Sequence, residues 1–216
     1  MVEKRKVGNL LALAVLATVY TRPMHRYEMA SVMRARGKDQ DMDVKWGSLY
    51  TVVQNMTKHG FLEVVGTDRA GARPERTIYA ITEAGKRELV DWTRELISVP
   101  RTEHPRFAAG LSVLAVLPPR EAIALLQERL GRLEESIGDQ RAALARTGDE
   151  GIPRLFLIEN EYGLAMLEAE AAWSRSLLDE LTSGAFPGLD VWQAWHQTGE
   201  MPDEMAEIAE RGLSPD

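Results

Sequence analysis

The residues of this chain whose types and spacing could do chemistry are concentrated in Trp46–Glu63, WGSLYTVVQNMTKHGFLE. Leu49, Val52, Val53 and Met56 recur at helical spacing and form one apolar stripe. The other face carries Trp46, Ser48, Tyr50, Thr51, Gln54 and Lys58, with Lys45 just ahead of it. These side chains hydrogen-bond well and carry little charge, a composition suited to the polar edges of another molecule. An α-helix fits the major groove of B-DNA, where side chains near its N-terminus reach base edges while its other face stays in the core. On that reading Ser48 and Thr51 bond bases or phosphates, and the Tyr50 hydroxyl reaches a phosphate. Lys45 and Lys58 add positive charge at the two ends. Arg69, Arg73 and Arg76, in and beside a later loop, would meet the DNA backbone or the minor groove. Lys4, Arg5 and Lys6 suggest a basic arm.

Other chemistries find little support. His25, His59, His104 and His196 are scattered and share no metal-ligand spacing. There is no nucleophile elbow, phosphate loop or dinucleotide fingerprint, so neither an enzyme nor a bound cofactor is expected. The chain has no cysteine, which excludes disulfides, thiolate zinc sites, iron–sulfur ligation and a cysteine nucleophile. A site of histidines and carboxylates stays open.

The net charge of −7 hides an asymmetry. Residues 1–100 hold 16 Lys and Arg against 12 Asp and Glu, a surplus of +4, whereas residues 101–216 hold 10 against 21, leaving −11. Only the N-terminal half would be drawn to a polyanion. The basic, then apolar start (MVEKRKVGNLLALAVLATVY) looks like a signal peptide, but Thr21-Arg22-Pro23 offers no small-residue cleavage site. Its apolar run is also shorter than the roughly 20 residues a bilayer requires. A buried helix, no membrane partner and a cytoplasmic location follow.

The elements that must position these residues can be read in order. Val7–Tyr20 is apolar nearly all round, as a helix surrounded by others must be, and Pro23 stops it. His25–Ala35 forms a second helix with Met29, Val32 and Met33 inward, and Gly37 stands at a left-handed C-cap position. The third helix is the opening stretch, ended at Gly60 with Phe61 packed back on it. FLEVVG (61–66) and RTIYAI (76–81) are β-rich runs joined by a Gly-, Pro- and Arg-containing loop. Thr82 caps a fourth helix from Glu83 to about Ser98. This order predicts a mainly α, winged helix–turn–helix domain with a two-stranded wing over residues 1–98.

A linker near Val99–Pro105 leads to an all-α dimerisation domain, 105–183. FAAGLSVLAVL (107–117) reads as a wholly buried helix. Beyond Pro118-Pro119, Ile123, Leu126, Leu130, Leu133, Ile137, Gln140 and Leu144 alternate steps of three and four. Leu157, Asn160, Leu164, Leu167, Ala171, Ser174, Leu178 and Leu181 repeat them. Two long helices around GDEGIP make an antiparallel hairpin. Its stripes either pack only on each other or close a homodimer. The second reading is preferred, because so little chain is left to cover both. Residues 184–216 form a tail packed on the helices or partly flexible, anchored by Trp192 and Trp195.

The motif residues Gly47-Ser48-Leu49-Tyr50, Val53, Met56, Gly60-Phe61-Leu62, Arg73, Arg76, Tyr79 and Ile81-Thr82-Glu83-Ala84-Gly85 resemble the PadR family of bacterial transcriptional regulators. Pro23-Met24-His25 with Tyr27-Glu28 is also similar. The motifs cover about residues 10–90. The resemblance implies a homodimeric regulator binding a roughly palindromic operator, most often as a repressor, with the helix bearing Leu49-Tyr50 in the major groove. Ser48, Tyr50 and Thr51 would inherit contact with DNA, and Arg73 and Arg76 the wing role. Thr51 departs from a proline common in the family, and Lys45-Trp46 from Ser-Pro. Some members respond to small molecules, phenolic acids or drugs among them, and Trp92 or Trp173 offers a surface for stacking an aromatic effector. A winged-helix protein-interaction module without DNA binding is the alternative.

Overall fold

The computed structural model describes residue 5, residues 7–38, residue 42, residues 45–68, residues 76–203 and residue 206. It divides into two compact units, Met1–Thr102 and Glu103–Asp216.

The first unit is built around α1 (Leu10–Val19), which packs against three other helices and is buried on nearly every side. Its N-terminus is closed by the Asn9 side chain, which accepts the Leu11 amide at 2.8 Å. Its one buried polar side chain, Thr18, donates to the Ala14 carbonyl at 2.7 Å, so among the described residues no buried polar side chain of that core is left unpaired.

After Pro23 come β1 (Met24–His25) and α2 (Arg26–Ala35). The imidazole of His25 caps α2 by accepting the Glu28 amide through Nδ1 at 3.1 Å. A single 3₁₀ turn, Trp46–Ser48, leads into α3 (Leu49–Lys58). Gly60 then takes a left-handed φ of +77°, and the Phe61 amide returns to the Met56 carbonyl at 2.9 Å.

β2 (Leu62–Asp68) and β3 (Arg76–Ile81) pair antiparallel, Leu62 opposite Ile81 and Val64 opposite Tyr79, with an irregularity between Val64 and Gly66. The wing is larger than the expected two strands. β1 pairs with the free edge of β3, Met24 opposite Tyr79, so the strand order is β1-β3-β2. Two residues are too few to show an alternating pattern, but they cover an edge that would otherwise be open and bury Met24. α4 (Glu83–Ser98) closes the unit, its first turn capped by Thr82, whose side chain accepts the Gly85 amide at 3.0 Å.

The second unit contains α5 (Arg106–Leu111), a 3₁₀ turn at Leu114–Val116, α6 (Pro119–Asp149), a further 3₁₀ turn at Arg154–Phe156, α7 (Ile158–Ser183) and α8 (Leu189–Thr198). The expectation of one wholly buried helix over 107–117 is corrected. The segment breaks into two short pieces, and Val113 and Val116 are 57% and 66% exposed. Apolar composition alone does not supply a partner, and this unit has too little chain to wrap the segment.

α6 and α7 pack along their stripes. Leu126, Leu133, Ile137 and Leu178 are buried in the hairpin, whereas Leu130, Leu157, Leu164 and Leu167 are half-buried. The ion pairs Arg129–Glu170, Arg141–Glu168 and Arg175–Glu134 tie the two helices along their length. α8 lies against the end of the hairpin. Trp192 is buried and its indole N–H donates to the Leu117 carbonyl at 3.0 Å. Trp195 is half-buried beside it in the same cluster.

Candidate nucleic-acid interface

α3 sorts its residues by face. Leu49, Val52, Val53 and Met56 are buried against α1, α2 and the start of β2, while Tyr50, Thr51, Gln54 and Lys58 are exposed on the opposite side. The stretch Lys45–Leu62 contains no acidic residue, so nothing within it repels a polyanion. Lys45 is exposed at the head of the 3₁₀ turn and Lys58 at the tail of α3.

Several predicted contact residues have partners already. The Ser48 hydroxyl donates to the Lys45 carbonyl at 2.7 Å, which fixes the entry turn. The Tyr50 hydroxyl accepts from the Gln54 amide at 2.7 Å, one helical turn on. Trp46 is half-buried against the core. Arg76, at the start of β3, is half-buried with its guanidinium 5.7 Å from the Tyr27 ring centroid, and its Nη1 is 3.4 Å from His25 Nε2. Arg69 and Arg73 lie outside the described residues, as do Lys4 and Lys6. Arg5 does not form a free basic arm. It folds onto α4, pairing with Glu88 and with Glu95 at 2.5 and 2.6 Å, over the face of Trp92 at 5.3 Å. Two carboxylates and an indole outcompete solvent for it.

The structure adds residues that sequence reasoning did not single out. Arg26 lies over the Tyr50 ring at 4.1 Å and Arg34 over the Trp46 ring at 4.4 Å. Tyr27 is 71% exposed beside them. α2 and the start of α3 thereby enclose an open cleft of about 600 Å³ lined by Arg26, Ser31, Arg34, Trp46 and Tyr50 among others. The signal was present: Arg26 and Arg34 stand eight residues, a little over two turns, apart on one side of an amphipathic helix. At the head of α2, a hydrogen bond from Arg22 holds the Glu28 carboxyl below the usual carboxylate range, so that carboxylate is occupied.

Among the described residues no cluster of three or more histidines and acids is arranged to hold a metal ion, and no helix is long and apolar enough to cross a membrane. Trp92, considered for an effector, is buried in the first core. Trp173 is half exposed and meets Phe107 edge-on at 5.9 Å, beside an apolar pocket of about 360 Å³ that also includes Leu111 and Met166.

Residues 15–91 match the family described as "Transcriptional regulator PadR-like family". The negative transcriptional regulator PadR of Bacillus subtilis (strain 168) is 22% identical over 148 residues, 68% of this chain and 80% of that protein. Two solved structures share the fold. One, of Bacillus subtilis PadR in complex with operator DNA, has a TM-score of 0.68 at 20% identity, covering 80% of this chain and 99% of that one. The other, of the same protein in complex with p-coumaric acid, has a TM-score of 0.67 at 19% identity, covering 81% and 99%.

Proposed function

Because its N-terminal unit belongs to the PadR-like family of transcriptional regulators, we propose that this chain is a cytoplasmic, homodimeric repressor that binds double-stranded DNA sequence-specifically. α3 of each copy enters a major groove of a roughly palindromic operator, Thr51 and Gln54 facing base edges, with Lys45, Lys58 and Arg76 toward phosphates. Tyr50, Ser48 and Trp46 border that contact, and Arg69 and Arg73 serve the wing. The observation that carries the reading is the exposed face of α3: hydrogen-bonding groups at helical spacing, basic at both ends and free of acids, on a helix whose opposite face is locked in the core.

The dimer reading is supported by the second unit. Leu125 and Tyr162 are exposed on its long helices, as is Phe156 in the turn between them. A second copy covering them together with half-buried Leu130, Leu157, Leu164 and Leu167 would remove a large apolar surface from water. Buried Leu126, Leu133, Ile137 and Leu178 would support that surface from within. A small aromatic effector fits the pocket beside Trp173, where an apolar wall and an exposed indole offer stacking; the p-coumaric acid complex of Bacillus subtilis PadR favours that class of ligand.

The test is fluorescence anisotropy of the purified chain against DNA from upstream of its own gene and unrelated DNA, over a salt series. Tighter binding to the upstream DNA, weakening steeply with salt through counterion release, is expected. Binding to neither would favour a winged-helix protein-interaction module instead.

A further inference from the structure

Nothing in the α3 reading uses the arginines of α2. Arg26 and Arg34 are held over the rings of Tyr50 and Trp46 at 4.1 and 4.4 Å. Neither forms an ion pair among the described residues, and the carboxylate of Glu28 on the same helix is taken by Arg22. A guanidinium held by its face on an aromatic ring keeps the N–H donors around its edge, which are the groups that fork onto an oxyanion. The stack also fixes a long side chain in advance, so less freedom is lost when the anion arrives. Eight residues of helix separate the two arginines by about 12 Å, so they meet different phosphates.

A third donor pair lies at the head of α2. His25 Nδ1 accepts the Glu28 amide at 3.1 Å, so in the neutral ring the hydrogen is on Nε2. Arg76 Nη1, also a donor, stands 3.4 Å from that Nε2. Two donors side by side are satisfied by one anionic oxygen placed between them.

We propose that Arg26 and Arg34, seated on Tyr50 and Trp46 and joined by the His25–Arg76 donor pair, clamp the phosphodiester backbone of DNA beside the groove that α3 enters. The inference rests on the DNA-binding reading above. In this arrangement Tyr50 and Trp46 are positioning residues, and the Tyr50 hydroxyl serves Gln54 rather than a phosphate.

The experiment is the anisotropy salt series on the full chain with the upstream DNA. Arg26→Ala and Arg34→Ala should each make the slope of log K against log[salt] shallower by about 1.8, the value for two lost phosphate contacts, one from each copy of the proposed dimer. The ranking of operators carrying single base-pair changes should be preserved, because phosphate contacts carry no sequence information. Tyr50→Leu should reproduce the slope of Arg26→Ala, Tyr50→Phe should restore it, and the double variant Arg26→Ala/Tyr50→Leu should be no shallower than either single change. Circular dichroism checks the fold, and Arg26→Gln, which keeps the stem, replaces any alanine variant that unfolds. Wild-type binding with slopes unchanged in the arginine variants, or additive slopes in the double variant, overturns the clamp alone. A wild-type chain with no salt-dependent binding overturns the DNA reading and the clamp together.

Discussion

Replacing Gly85 by alanine adds one methyl group to a helix, a change that in an open helical position stabilises by about 1 kcal/mol. Here the structure reverses the sign. The added carbon would stand 2.2 Å from the Phe61 carbonyl oxygen and 2.8 Å from Ile81 Cγ1. That carbonyl cannot simply turn away. It accepts the Thr82 amide at 3.1 Å, and the Thr82 hydroxyl, 2.6 Å from the Gly60 carbonyl, is the same group that caps α4. Relieving the clash therefore costs the overpacking strain of about 1–3 kcal/mol plus much of a cap worth about 1 kcal/mol. Against the propensity gain, Gly85→Ala should destabilise by about 1–3 kcal/mol, which for a unit of this size lowers the melting temperature by about 5–20 °C. Urea and thermal unfolding followed by circular dichroism measure it, with Gly131→Ala as the control. Gly131 lies in α6 with nothing within 4 Å of the position a Cβ would take, so that change should stabilise. A Gly85→Ala chain as stable as the parent would refute the argument that α4 is docked this closely on the turn at Phe61.

Three further outcomes follow from the packing. Trp192→Ala should cost about 3–5 kcal/mol and free α8 from the second unit, seen as rapid proteolysis near residues 189–198; slow cleavage would mean that the indole is not the anchor. Leu164→Asp should dissociate the proposed dimer or unfold it, read by light scattering and circular dichroism, whereas a stable dimeric variant would place that stripe elsewhere. The Arg5 hydrogen bond holds the Glu95 carboxyl below its ordinary range, so the folded state prefers the ionised form. Its contribution is complete above the unfolded carboxylate value of about 4.3 and is lost as pH falls through the folded value. The urea midpoint should therefore drop on acidification below about pH 5, and less so in Arg5→Ala.

Much of the first unit was legible because its boundaries are local chemistry. Gly60 ends α3 by its positive φ, Thr82 starts α4 by its side-chain oxygen, and the stripe Leu49–Met56 gives the buried face of α3 directly. The missing features depend on partners distant in sequence. β1 exists because Met24 and His25 meet β3 some fifty residues on, and two residues carry no period of their own. Arg5 reads as a free cation until α4 brings Glu88 and Glu95 to it. Arg26 and Tyr50 belong to different helices, so the stack could not be inferred from spacing within one, whereas the engagement of the Tyr50 hydroxyl by Gln54 is an i, i+4 contact within α3. In the second unit the heptad-like steps located both long helices, but the apolar run 107–117 could not say whether its cover comes from the same chain.

In the proposed function the exposed face of α3 reads bases. The most direct measurement compares the wild-type chain with Gln54→Ala across a set of operators, each carrying one substituted base pair. Gln54→Ala should lose discrimination at one or two neighbouring base pairs in each half-site, by the roughly 1–3 kcal/mol of a good base contact, and keep it elsewhere. An unchanged discrimination profile, with affinity lowered equally for every operator, would contradict it and assign α3 to the backbone alone.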